Sequence, residues 1–252
     1  MSTIITMGRI LYRVLSFALM TLWQLSCLRF RLFFAPLSKA RSHRNRALKA
    51  WAESTLRIFA FSLEIIGEQP PQDGPRLVLA NHRSPFDIPA VLFAIQTRTM
   101  GQAAVSKWPL IGSAARAGDT IFVDRQDKES GKQAIAGARQ ALLEEDAVLI
   151  FPEGTTFEGD ELRPFKLGGI SAGQDSNALI IPVGICYEEG FGYDKESLGS
   201  YLKRVAGQRR CKLTVAIGAA ITPQATVEQT AQATHEAITT LIHQARTSLE
   251  HR

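Results

Sequence analysis

In NHRSPFD, residues 81–87, a histidine and an aspartate stand with four residues between them, directly after the apolar run Leu77–Ala80. Imidazole has an ordinary pKa of about 6.5, so it can take a proton near neutral pH. A carboxylate bonded to one ring nitrogen fixes the tautomer and leaves the other nitrogen free to act. His82 and Asp87 are therefore a candidate base and the acid that orients it. The same residues also read as ordinary chain punctuation. Ser84-Pro85 suits a helix N-cap followed by proline at the first helical position, and Ser84-x-x-Asp87 suits a capping box. Both readings put Asp87 on the first turn of a helix.

Three further stretches carry groups able to bind an anion or shape a site. In FPEGTT, residues 151–156, Pro152 cannot continue a strand, while Gly154 allows an unusual backbone and a close ligand approach; Glu153, Gly154 and Thr155 would then stand at a sheet edge. In GDTIFVDRQ, residues 118–126, Arg125 lies just past a candidate strand. It is either a phosphate-binding guanidinium or a surface arginine paired with Asp124 or Asp127. Lys107, in AVSKWPLIG, is a second cation with the same two readings.

Positioning such groups requires a frame. From residue 75 onward, short apolar runs alternate with helical stretches. Candidate strands are 76–80, 102–105, 120–123, 147–151, 179–183 and 212–217; candidate helices are 86–95, 108–115, 130–145, 167–175 and 227–249. Most of the strands are continuous apolar runs, which suits a sheet covered on both faces. The expected class is α/β, with a mixed, mostly parallel sheet and helices on both faces. Residues 186–210 read as a long, polar, irregular loop, a candidate mobile flap.

The chain divides by charge. Residues 1–52 hold nine basic residues and no acidic one; the remaining 200 hold 20 basic against 24 acidic, so the formal +5 belongs to the N-terminus. That distribution points to an anionic membrane surface rather than to nucleic acid. The stretch VLSFALMTLWQLSCL, residues 14–28, flanked by Arg13, Arg29 and Arg31, suits a membrane-embedded or interfacial helix; a buried core helix is the alternative. No small-residue cleavage site follows it, so it does not suit a signal peptide. A second helix is expected over 44–67, ended by Gly67 and Pro70-Pro71. Residues 1–70 thus form a basic helical hairpin ahead of a domain at 71–252. Cys27, Cys186 and Cys211 lack ligand spacing and read as reduced thiols in a cytosol-facing protein, and no metal site is expected.

Taken together and in this order, NHRSPFD, GDTIFVDR, FPEGT and IPVGI (181–185), with SKWPLIG and PFKLGGISAG between them, resemble the lysophospholipid acyltransferase family, typified by 1-acylglycerol-3-phosphate acyltransferase. The resemblance covers roughly residues 75–190. It implies the glycerolipid acyltransferase fold and transfer of a fatty acyl group from acyl-CoA or acyl carrier protein to a lysolipid hydroxyl. No other cofactor is implied. His82 would be the base and Asp87 its partner, with no acyl-enzyme. Lys107, Arg125, Glu153, Gly154 and Thr155 would line the acceptor site. The enzyme would work at the cytosolic face of the inner membrane. One departure bears on the acceptor: many phosphatidate-forming members carry a basic residue where this chain has Thr156. Lysophosphatidate is the first expectation, and lyso-ornithine lipid or another lysophospholipid the alternative.

Two rival readings remain. GISAG, residues 169–173, matches the G-x-S-x-G of lipid esterases, with Ser171 as nucleophile and His235 as base, but it lacks a good preceding strand. A non-catalytic membrane scaffold is the other, and the intact His82–Asp87 pair argues against it.

Overall fold

A seven-stranded sheet with helices on both faces forms the body of the computed structural model, which describes residues 2–252. Its strands are β1 (Phe61–Gly67), β2 (Arg76–Ala80), β3 (Arg98–Gln102), β4 (Ile121–Val123), β5 (Ala147–Ile150), β6 (Leu179–Tyr187) and β7 (Cys211–Ile217). The helices are α1 (Ser2–Phe34), α2 (Leu37–Ile58), α3 (Asp87–Ala94), α4 (Ile111–Ala117), α5 (Lys128–Leu143), α6 (Leu167–Asp175), α7 (Leu198–Gly207) and α8 (Val227–Glu250). The strand order is β1-β7-β6-β2-β5-β3-β4. All neighbours are parallel except β6 and β7, so the sheet is mixed and mostly parallel, as the apolar runs imply.

Side-chain alternation splits the core in two. Along β2, Val78 and Ala80 join one cluster with Leu56, Phe86 and Val91, while Leu77 and Leu79 join the other with Ala138, Ile170 and Ile238. One face of the sheet is thus covered by α2, α3 and α7, the other by α5, α6 and α8. With both faces buried, a continuous apolar strand costs nothing in exposure.

Several expectations need correction. The second helix does not run to residue 67: it ends at Ile58, Ala60 takes a left-handed φ of +58°, and residues 61–67 become β1. The helical spacing of Leu56, Phe59 and Leu63 bridges this break by coincidence. Seven residues of parallel pairing with β7 decide the outcome for β1. The strand expected at 102–105 lies earlier, at 98–102, and residues 103–107 form a 3-10 turn instead. The stretch read as a flap contains α7, and the chain ahead of it is pinned. The Arg204 guanidinium donates to the carbonyls of Gly190 and Gly192 and pairs with Glu196, while the Tyr193 N–H donates to the Arg83 carbonyl at 2.8 Å.

α1 is much longer than the apolar stretch that announced it. From Ile4 to Phe34 it is long and apolar enough to cross a membrane by length and composition, and little of it is buried. It is fastened to the domain by arginines. Buried Arg13 donates to the carbonyls of Ala206 (3.1 Å), Gln208 (2.7 Å) and Arg209 (3.3 Å), and Arg9 donates to that of Gly207 (2.6 Å). These are the orphan acceptors at the C-terminal end of α7, where the helix dipole favours cations. α2 does the same elsewhere: Arg41 donates to the Glu144 carbonyl past the end of α5, and Arg44 pairs with Asp119 past the end of α4.

Candidate active site

The parallel strands β2, β5, β3 and β4 all point their C-terminal ends at one edge of the sheet, where open α/β sheets bind ligands. His82 follows β2, Glu153 and Gly154 follow β5, Lys107 ends the turn after β3, and Arg125 follows β4. The sheet thereby gathers onto one edge residues that lie up to 72 positions apart in sequence.

His82 Nδ1 lies 2.7 Å from Asp87 Oδ2. That oxygen also accepts from the backbone N–H groups of Arg83 (2.6 Å) and Ser84 (2.9 Å), while Oδ1 accepts from the Tyr187 hydroxyl (2.7 Å). With both oxygens accepting, Asp87 is a carboxylate and Nδ1 carries the proton. Nε2 then holds the lone pair, and it has no hydrogen-bond partner among the described residues. The imidazole stacks on Phe151, with centroids 4.0 Å apart and planes 14° from parallel. One nitrogen is tied, one face is covered and the other nitrogen is free, which is the geometry a general base needs.

Asp87 thus serves both readings of its motif. Its bond to the Ser84 N–H is one half of a capping box, made by the oxygen that also orients the histidine. The other half is absent: Ser84 is not the N-cap, because residues 85–86 make a turn and α3 starts at Asp87. The Ser84 hydroxyl instead accepts from the Phe86 N–H (3.0 Å) and meets the buried Tyr201 hydroxyl of α7 at 2.5 Å; Tyr201 in turn donates to the Phe191 carbonyl (3.1 Å).

Glu153 is fully turned inward. Oε1 accepts from the His82 N–H (2.8 Å) and from Arg83 Nη1 (2.9 Å), and Oε2 from the Arg163 N–H (3.0 Å). Arg83 Nη1 also donates to the His82 carbonyl (2.9 Å), so the backbone of His82 is gripped on both sides. Gly154 has φ of +75°, a left-handed conformation that favours glycine, and the Lys166 side chain crosses over it, with Nζ 2.7 Å from where a Cβ would stand. Thr155 is exposed.

Lys107 and Arg125 are exposed, and neither has a hydrogen-bond or ion-pair partner among the described residues. Arg125 is not paired with its neighbouring acids: Asp124 accepts from the Gln126 N–H, and Asp127 caps α5 through the Glu129 N–H. Arg163, by contrast, stacks its guanidinium on Phe157 at 4.1 Å. Sequence reasoning missed Arg83, Tyr187 and Tyr201. Nothing in the local pattern flags them, because their partners lie 70, 100 and 117 positions away.

GISAG has a packing explanation. Its glycines, Gly169 and Gly173, sit one turn apart on α6 and face the sheet. A Cβ would come within 2.8 Å of Ile150 at the first and 2.6 Å of Leu77 at the second. Ser171 lies inside the helix and returns its hydroxyl to the Gly168 carbonyl at 2.8 Å, rather than standing on an elbow after a strand. His235, the base of that reading, is half-buried against Phe165.

Comparison with known proteins bears on the family and the fold. The chain is 33% identical over 146 residues to the lyso-ornithine lipid O-acyltransferase of Pseudomonas aeruginosa, covering 57% of this chain and only 55% of that protein. It is 26% identical over 181 residues to the 1-acyl-sn-glycerol-3-phosphate acyltransferase of Neisseria gonorrhoeae, covering 69% and 70%. The crystal structure of the 1-acyl-sn-glycerophosphate acyltransferase PlsC from Thermotoga maritima has the same fold, with a TM-score of 0.77 at 19% identity over 98% of both chains. The family described as Acyltransferase matches residues 62–186, from β1 to the penultimate residue of β6, and so spans the whole edge that carries His82, Lys107, Arg125 and Glu153. This chain belongs to the acyltransferase family.

Proposed function

We propose that the protein transfers a fatty acyl group from acyl-CoA or acyl carrier protein to the free hydroxyl of a lysolipid. The reading is carried by one observation: a His82 imidazole tied to Asp87 at 2.7 Å, with Nε2 unpartnered at the sheet edge. An alcohol is scarcely ionised at neutral pH. Nε2 removes its proton as the oxygen attacks the thioester carbonyl, and Asp87 stabilises the imidazolium that forms. The oxygen–acyl bond forms, the carbon–sulfur bond breaks, and the thiolate leaves without a strong acid. No acyl-enzyme is needed. Lys107 and Arg125, cations without counter-ions, attract the acidic headgroup of the acceptor, and the turn of Glu153, Gly154 and Thr155 shapes the floor of that site. α1 seats the enzyme on the cytosolic face of the inner membrane, where donor and acceptor meet.

Lysophosphatidate, giving phosphatidate, is the first acceptor. A specific observation supports a second, lyso-ornithine lipid. Thr156 brings no charge to the position where many phosphatidate-forming members carry a basic residue, and the nearby Arg163 guanidinium is held on the Phe157 face, so Lys166 is the cation left at the turn. The 33% identity to a lyso-ornithine lipid O-acyltransferase points the same way.

Two assays test these readings. His82→Ala should lower turnover by about 10²–10⁴-fold, the contribution of a general base, with an unchanged melting temperature; near-normal turnover would sink the mechanism. Offering the purified enzyme lysophosphatidate, lysophosphatidylcholine and lyso-ornithine lipid with each donor should give turnover on one acidic or zwitterionic acceptor. Thioester hydrolysis alone, with no acceptor used, would count against acyl transfer.

A further inference from the structure

The basic residues of the N-terminal segment do not all face outward. Arg9 and Arg13 are spent on the end of α7, Arg41 on the end of α5, and Arg44 on Asp119. A second basic run becomes apparent once α1 is in place. KRVAGQRRCK, residues 203–212, holds five cations and no acid, and it lies at the junction with α1.

A groove of about 500 Å³ opens at that junction, lined by Thr6 and Ile10 of α1 and by Ser200, Lys203, Arg204, Gly207 and Gln208 of the α7 side. Its size is within the range of small-molecule sites. Arg204 is committed to the Gly190 and Gly192 carbonyls and to Glu196, the one acid paired at the groove's rim. The Lys203 ammonium, the Ser200 hydroxyl and the Gln208 amide are left with no hydrogen-bond partner among the described residues, as is the nearby Arg209 guanidinium. The C-terminal end of a helix ordinarily repels an anion. Here Arg9 and Arg13 neutralise it, so the groove is electropositive. Beside it α1 exposes Met7 and Val14, one turn to either side of Ile10.

We infer that this groove binds the headgroup of an anionic phospholipid of the host membrane. Lys203, Ser200 and Gln208 take the phosphodiester, Arg209 adds charge at the rim, and the acyl chains run along α1. The inference rests on α1 being membrane-seated. It adds a headgroup site on α7, a helix that bears on the catalytic turn through Tyr201 and Ser84.

The test is flotation of the full-length protein with phosphatidylcholine vesicles and with vesicles enriched in phosphatidylglycerol. Lys203→Gln with Arg209→Gln should weaken binding to the anionic vesicles by about fivefold per charge, so about 25-fold for the pair. Binding to phosphatidylcholine vesicles should be unchanged, as should vesicle-free turnover of a short-chain acceptor. Lys132→Gln with Arg139→Gln on α5, away from the groove, should leave all three readouts alone. A headgroup-photoreactive phosphatidylglycerol should label residues 198–208. Retained preference for anionic vesicles in the double variant overturns the inference, as does equal loss on both vesicle types or labelling confined to α5 or to α1 away from Thr6 and Ile10. Failure of acyl transfer itself would appear separately, as absent vesicle-free turnover in the unmodified protein.

Discussion

Asp87 has four partners for its two oxygens: His82, two backbone N–H groups and a tyrosine, all held in a buried pocket beside the start of α3. A buried carboxylate is costly unless its lone pairs are filled, and these are. Burial, and then the Asp87 charge, push the Tyr187 hydroxyl well above its ordinary pKa, so it remains a neutral donor throughout the working range. Tyr187→Phe removes that donor and leaves Asp87 less stabilised, which strengthens its pull on the imidazolium. The acid limb of the kcat/KM profile should therefore move to higher pH. A purely structural role for Tyr187 would lower stability and leave that limb in place.

At the level of elements, the arginine-to-carbonyl contacts are the feature with the clearest energetic consequence. Arg13 is buried and satisfies three carbonyls at the end of α7, and hydrogen bonds to a charged group contribute about 1.5–3 kcal/mol each before context. Arg13→Ala should destabilise the protein by about 2–4 kcal/mol, within the usual span for breaking a buried polar network. Proteolysis should then cut between α1 and the domain before the domain itself unfolds. A melting temperature equal to that of the unaltered protein would show that α1 is held by apolar packing alone. The sequence announced α5, α6 and α8 because their apolar spacing is local and their ends are marked, as with the Thr226 and Gln229 capping box of α8. It misled at β1 and β3. A strand with polar residues, such as RTMGQ, is made by its neighbours, and periodicity within five residues carries too little information to outweigh them.

On the scale of the whole molecule, α1 leaves Leu11, Leu15, Leu19 and Trp23 exposed along its length, Trp23 by 71%. Contiguous apolar surface of this kind marks a membrane or partner face. Leu11→Glu with Leu15→Glu and Leu19→Glu should abolish flotation with vesicles while leaving the melting temperature within a few degrees, since none of the three is buried. Unchanged flotation would remove α1 from the membrane. A second global contact joins the loop after β5 to α8. Asp160 pairs in a bidentate fashion with Arg246 at 2.7 Å for both bonds, and Arg246 also donates to the Tyr187 carbonyl. Burial raises the Asp160 pKa, but the Arg246 hydrogen bonds and charge outweigh it, so the carboxyl titrates below its ordinary value. A depressed carboxyl stabilises the fold above its unfolded pKa and loses that contribution as pH falls through the folded one. Asp160→Asn should therefore lower the melting temperature at neutral pH, and the difference should vanish below the ordinary carboxylate range. A pH-independent difference would show that packing, not charge, is lost.

By itself the sequence made the order of the parts and the acyltransferase family legible. His82, Arg125 and the Glu153-Gly154 turn are residue types in a spaced pattern, each just beyond a strand whose apolar run is readable locally; Asp87 opens the helix after His82, and Lys107 follows β3, a polar strand that the local pattern misplaces. The layered α/β class followed from the same runs. Tertiary structure alone decided which groups support that pattern. Arg83 and Tyr187 reach the histidine and its acid across 70 and 100 residues, and Tyr201 reaches the turn across 117. It also decided that four of the nine N-terminal basic residues engage the domain, at helix ends that exist only once the domain has folded. The physical reason is common to both. A hydrogen-bond acceptor at the end of a helix, or the second oxygen of a buried carboxylate, has no signature in the local sequence, because folding creates the vacancy that a distant side chain fills.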